Sequence, residues 1–254
     1  MRKQGVLLVV LVAAGMSFLA ACAPAPVPTT TTTTTTTVVP VDCTARGPGV
    51  DLHGCDLSGA DLFDADLTGA NLTGANLSGA EIIFVNLTGA NLSDANLYEA
   101  ILYDTNLTDA NLPNTNLTDA YLTDVNLTGV RSGGITGTPA GLPSGYQIIS
   151  GYLIGRGVNL TGANLSGVNL TDANLTDVRS GGITGTPASL PTDYQIINGY
   201  LIGPDVNLSF VNLPGADLTG ADLTDAYLFG ITWSNTRCPN GVVQSTQCPR
   251  TAAG

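Results

Sequence analysis

His53 is the only histidine among the 254 residues. A histidine-based catalytic centre needs a nucleophile and an orienting acid converging on the imidazole. His53 directly follows Leu52, at what reads below as an outward position, so it is expected to be a solvated surface residue. No Cys/His cluster has zinc-ligand spacing, and no glycine-rich phosphate loop follows a strand. The chain has 20 acidic residues, which raises the question of calcium, but neither an EF-hand loop nor a Gly-Gly-x-Gly-x-Asp run is present. A hydrolase of wall polymers would need a supported acid pair, and none stands out. The expectation is therefore no catalytic residue, metal, cofactor or small-molecule substrate. With 8 basic residues and a net charge of −12, the chain is also poorly suited to gripping nucleic acid or an anionic membrane surface.

The cysteines are more informative. Cys22 stands apart, preceded by basic Arg2 and Lys3, an apolar stretch from Val6 to Leu19, and Ala20-Ala21. That order is the pattern of a secretory signal, too short and wrongly flanked for a spanning helix. Leu19-Ala20-Ala21-Cys22 resembles the bacterial lipobox, which implies cleavage before Cys22 and a diacylglyceryl group on its sulfur. Residues 1–21 are then a lipoprotein signal peptide. Residues 22–42 carry Pro24, Pro26, Pro28, Pro40 and an unbroken run from Thr29 to Thr37. Such a composition buries too little apolar surface to offset ordering entropy, and is expected to be a disordered tether. Cys43, Cys55, Cys238 and Cys248 form an even set suited to disulfides in an exported chain, with three connectivities open at this point.

What must position everything else is a repeat. Leucine recurs every five residues from Leu52 to Leu127, with Ile82 as the one exception, then again at Leu160–Leu175 and Leu208–Leu228. The residue two before each is small and the residue just before is mostly Asp or Asn. A period of five fits neither a helix nor a continuous strand. It fits a chain that turns a corner every five residues, sending one small and one large apolar residue inward on each side. Four sides close a square coil, and coils stack at ~4.8 Å. The pattern resembles the pentapeptide-repeat family, A-(D/N)-L-x-x, over roughly residues 50–231. That resemblance implies an all-β, right-handed quadrilateral β-helix, here of about eight to nine coils, within residues 43–237. Residues 238–254 are expected to form a disulfide-closed cap and tail.

Two near-copies, Val130–Leu160 and Val178–Leu208, interrupt the leucines, giving insert-bearing coils near 130–157 and 178–205. Ser150-Gly151 and Asn198-Gly199 between apolar runs are compatible with projecting β-hairpins. Alternatively the coil continues, with Val130, Ile135, Ile148 and Leu153 opening its four sides and eight extra residues looped between Ile135 and Ile148. The 48-residue offset between the copies, two coils plus eight, favours the second. In either case Cys55 and Cys238 lie at opposite ends of the rod, whereas bonded cysteines need Cα atoms ~4.4–6.8 Å apart. Only Cys43–Cys55 and Cys238–Cys248 remain.

A twenty-residue register stacks Phe63, Ile83 and Tyr103 on one outer side, with Ile101 and Tyr121 beside them and Phe84 and Tyr98 near the corners. An exposed apolar patch of this kind is a candidate partner surface, for an envelope protein or for self-association. A further column, Thr68, Thr88, Thr108 and Thr128, is a by-product of the repeat. The function these features favour is a non-enzymatic, lipid-anchored structural or interaction module on the extracytoplasmic face of the cell membrane or envelope. The family resemblance also implies an alternative, an acidic DNA mimic protecting a topoisomerase, which an export signal disfavours.

Overall fold

The computed structural model describes residues 40–252. Cys22, the leader before it and the Thr29–Thr37 run lie outside the described residues. The rest winds as a right-handed quadrilateral β-helix, all strand and bridge. Parallel bridges join residues twenty apart, Asp51 to Asn71, Asn71 to Asn91 and Asn91 to Asn111 among them. Leu72 thus lies under Leu92, its N–H donating to the Asn91 carbonyl at 2.8 Å. Successive first sides begin at Val50, Ala70, Ala90, Ala110 and Val130. Second sides begin at Cys55, Ala75, Ala95, Thr115 and Ile135, third sides at Ala60, Ala80, Ala100, Ala120 and Ala140, and fourth sides at Ala65, Val85, Thr105 and Val125.

Local chemistry makes each corner. The Ala75 N–H closes back on the Leu72 carbonyl at 3.0 Å, and the residue before it, Gly74, sits at φ 64°. Glycine, Asp and Asn hold this left-handed position at least cost, which explains why they dominate the fifth place of the repeat. The Asp/Asn before each leucine has a second duty. Asn86 Oδ1 accepts the Thr88 N–H at 3.2 Å and its hydroxyl at 2.6 Å, while Asn106 Nδ2 donates to Thr88 Oγ1 at 3.0 Å from the next coil. The polar outer positions are therefore a hydrogen-bonded lattice. It consumes the Thr68, Thr88 and Thr108 hydroxyls as donors to Asp66, Asn86 and Asn106.

Inside, the leucine columns are almost fully buried, with Leu67, Leu92, Leu97 and Leu107 at 0% exposure. Thr105 and Thr115 replace alanine at two inward positions without an unmet polar atom. Their hydroxyls donate to the Ile82 and Leu92 carbonyls of the coil below, and no buried side-chain polar atom among the described residues lacks a partner.

The inserts correct the expected four-sided path. The register does continue, since Arg131 bridges to Asn159 and Arg179 to Asn207, twenty-eight residues on. The third side, however, is carried by Ala140–Gly141, with Gly141 bridged to Tyr121. Ile148 and Leu153 do not open successive sides. They face each other in an antiparallel hairpin, Gln147–Ile149 with Tyr152–Ile154, and the second copy repeats it as Gln195–Ile197 with Tyr200–Ile202. The hairpin folds back onto its own coil, where the Gly151 carbonyl accepts the Ile135 N–H at 3.0 Å and Ser132 Oγ accepts the Leu153 N–H at 2.9 Å. Ser132 and Gly137 stand where leucines are otherwise found. Leu153 and Ile154, at 1% and 0% exposure, fill the core in their place.

Each hairpin is pinned by a tyrosine whose ring lies on a glycine. A Cβ on Gly203 would come within 2.4 Å of the Tyr194 ring, and one on Gly155 within 2.3 Å of Tyr146. Neither glycine needs a left-handed φ, so the requirement is purely steric. Gly203→Ala is expected to destabilise the fold by about 1–3 kcal/mol through overpacking, read from urea denaturation. A smaller Tyr194→Leu side chain introduced with it should recover part of the loss.

Both ends of the rod are closed. Cys43 is bonded to Cys55 with Cα atoms 5.5 Å apart, and Cys238 to Cys248 at 5.3 Å. At the C-terminal end Thr236–Arg237 pairs antiparallel with Val243–Gln244. Arg250 then donates to the Leu223 and Ala226 carbonyls at 3.2 and 2.7 Å, capping backbone groups that no further coil would satisfy.

Candidate functional site

The third side of the first coils carries an apolar surface. Bridges from Asp61 to Glu81, Ile101 and Tyr121 set its register. Phe63, Tyr103 and Tyr121 are 59%, 45% and 52% exposed. Ile83, Ile101, Tyr103, Tyr121 and Thr123 line a shallow apolar groove of about 400 Å³. Phe84 sits at the corner in a left-handed conformation, φ 59°, and locks the stack diagonally. Its ring meets Phe63 edge-on at 5.6 Å and Tyr103 at 6.2 Å, a geometry that favours aromatic pairs. Tyr98 lies on the second side, outside the groove. The Glu99 carboxylate beside it pushes its phenol pKa up.

A second aromatic cluster was not singled out from the sequence. Phe210 and Phe229 are 75% and 73% exposed with ring centroids 5.3 Å apart, edge to face. Tyr227 is exposed beside them. The arrangement repeats that of Phe84 and Tyr103, a corner phenylalanine at positive φ (62° for Phe210) against an aromatic nineteen residues on. That spacing was the available signal. The cluster lies on the first side, opposite the first patch.

His53 Nδ1 lies 2.8 Å from Asp51 Oδ1, both groups solvent-exposed. No nucleophile stands in that contact. No His/Cys/Asp/Glu group with metal-holding geometry occurs among the described residues. The repeat itself carries a further electrostatic feature. Asp66, Asp217 and Asp222 each accept a Thr hydroxyl and then a backbone N–H from the residue two places on. These bonds hold their carboxyls below the ordinary aspartate value. A folded pKa below the unfolded one contributes stability above the unfolded value, about 3.9, and that contribution is lost as pH falls through the folded one. The melting temperature is thus expected to hold from neutrality to about pH 5 and to fall below about pH 4. A rise in melting temperature on acidification would contradict this, and circular-dichroism melts across that range provide the measurement.

Comparisons with known proteins address the repeat. A family model described as pentapeptide repeats matches eight copies, over residues 60–102, 100–131, 156–179 and 205–228. No curated protein matches significantly. Among solved structures, a pentapeptide repeat protein from the Arabidopsis thaliana thylakoid lumen is 34% identical, with 50% of this chain and 71% of that chain covered and a TM-score of 0.24. HetL, a pentapeptide repeat protein involved in heterocyst differentiation regulation in the cyanobacterium Nostoc, is 25% identical, with 78% and 90% covered and a TM-score of 0.29. QnrB1, a plasmid-mediated fluoroquinolone resistance protein, is 16% identical, with 75% and 68% covered and a TM-score of 0.35.

Proposed function

This chain belongs to the pentapeptide-repeat family, and from that premise we propose that it is a non-enzymatic solenoid anchored by lipid to the outer side of a cell membrane, where it presents its apolar third side to an envelope protein. The observation that carries the anchoring is the Leu19-Ala20-Ala21-Cys22 run behind a basic and apolar leader. Two disulfides at the ends of the rod support it, because such bonds persist in oxidising compartments. Among the described residues no helix is long and apolar enough to cross a membrane. The patch of Phe63, Phe84, Ile101, Tyr103 and Tyr121 supports the interaction role. The Phe63, Phe84 and Tyr103 rings meet edge to face on the surface, with Tyr121 exposed beside them, rather than sinking into the core.

Metabolic labelling with a fatty-acid analogue tests the anchor. The native chain should take up label and sediment with membranes, and Cys22→Ser should do neither. Label retained in Cys22→Ser, or none in the native chain, would overturn the reading. For the surface, Phe63→Thr, Ile83→Thr and Tyr103→Thr together should leave the melting temperature unchanged. They should also abolish cross-linking to envelope proteins in intact cells. Cross-linking identical to the native pattern would remove the patch from the account.

A further inference from the structure

The duplicated insert builds the same pocket twice. Beside the first hairpin a cavity of about 410 Å³ has Pro139, Leu142, Tyr146 and Ile148 as its apolar wall, with Thr138 and Gln147 as its polar groups. Beside the second, a cavity of about 380 Å³ repeats the set with Pro187, Leu190, Tyr194, Ile196, Thr186 and Gln195. Bridges from Arg131 to Asn159 and on to Arg179 keep the coils in one register, so both pockets open on one face of the rod.

Three observations mark them as built sites. The copies Val130–Leu160 and Val178–Leu208 differ at six positions, and of these only Gly141/Ser189 lines a pocket. The other differences include three that change charge, Gly145/Asp193, Arg156/Pro204 and Gly157/Asp205, yet neither pocket acquires a charged lining residue. The tyrosines are also preset. Tyr146 donates to the Arg156 carbonyl at 2.7 Å and Tyr194 to the Pro204 carbonyl at 2.9 Å, and each ring is backed by a glycine. A wall fixed in advance lowers the ordering cost of binding. Finally, the Gln147 and Gln195 amides and the Thr138 and Thr186 hydroxyls line the pockets and make no hydrogen bond within the protein, which leaves them free to meet a ligand.

We infer that the twin pockets bind neutral saccharide units, two along one glycan chain. A pyranose offers an apolar C–H face to the Tyr/Leu/Ile/Pro wall and a rim of hydroxyls to the amide and the threonine. A charged ligand would enter without an ionic partner and lose its hydration uncompensated. An extended peptide would need a strand edge to add to, and the hairpin strand beside each pocket is only three residues long. Two identical sites on a rigid rod make the second contact intramolecular for a polymer, so a repeating ligand gains avidity from modest individual affinities. This inference goes beyond the anchoring reading and does not depend on Cys22.

The test is calorimetric titration of the purified full chain with chitotetraose and with cellotetraose. At least one should bind saturably at millimolar concentration. Gln147→Ala with Gln195→Ala should weaken that binding about tenfold or more, each single variant having an intermediate effect, while melting temperature stays unchanged. Because neither glutamine side chain makes an internal hydrogen bond and the backbone pairing with Ile154 and Ile202 survives substitution by alanine, failure to fold is not the expected outcome. A Thr138→Val, Thr186→Val pair gives an independent second variant set with the same expectation. Saturable binding of neither sugar, binding that both variant sets leave unchanged, or displacement of the sugar by a neutral extended peptide would overturn the inference.

Discussion

Replacing Leu92 with alanine is expected to cost about 2–5 kcal/mol of folding stability, toward the upper end of that range. Leu92 is completely buried, between Leu72 below and Leu112 above. The cost of a truncated core side chain depends on how far its surroundings can collapse into the space. Here they can collapse very little, because ladder hydrogen bonds hold the coils apart. The Leu72 N–H reaches the Asn91 carbonyl at 2.8 Å, and the Leu92 N–H reaches that of Asn111 at 2.7 Å. Closing the cavity would mean breaking these bonds in two coils at once. In a stacked repeat each coil contacts only its neighbours, so the defect also weakens the coupling of the N-terminal coils to the rest. Leu228→Ala, 9% exposed and near the capped end, should cost clearly less. Urea unfolding followed by circular dichroism measures both, and a loss at Leu92 below about 1 kcal/mol would mean that the columns do not carry the core.

The second large effect concerns the caps. Removing Cys238–Cys248 by paired serine substitutions should destabilise the fold by about 3 kcal/mol. This is the chain-entropy value for a short closed loop, and this one has a sequence separation of 10. Cys43–Cys55, with a separation of 12, should contribute a similar amount. The loss should be local before it is global. Without its bridge the segment holding Arg250 against the Leu223 and Ala226 carbonyls is released, and the Thr236–Arg237 pairing with Val243–Gln244 loses its anchor. Hydrogen exchange should therefore accelerate first around residues 213–237 while amides near Leu92 stay protected. Uniform acceleration along the rod, or a melting temperature indifferent to thiol reductant, would contradict the assignment of these bridges as end clamps.

The two aromatic clusters show where sequence reasoning stops. Counting in twenties puts Phe63, Ile83 and Tyr103 in one column and Ile101 and Tyr121 in the one beside it, because no insert intervenes between them. Phe210 and Phe229 meet on a diagonal of nineteen rather than within one column, so counting in twenties does not pair them. The insert coils failed for a related reason. Ser132 and Gly137 occupy places that leucine holds elsewhere in the repeat, and Leu153 and Ile154 reach the same space from a hairpin. Nothing in the local pattern of Val130–Gly155 says that the Gly151 carbonyl will meet the Ile135 N–H.

By itself the sequence determined the five-residue side, the square section, the alternation of small and large inward residues and the local pairing of the end cysteines. Each of these depends on contacts within a side or on a strict repeat, in which one Asx turn and one left-handed corner are copied again and again. Only the tertiary structure decided how the inserts fold, which tyrosines pin them, and that duplication leaves two matching pockets on one face. Those features arise where the repeat is broken. There the backbone conformation is set by which distant hydrogen-bond partners and core vacancies lie within reach, and a linear pattern of residues does not encode those distances.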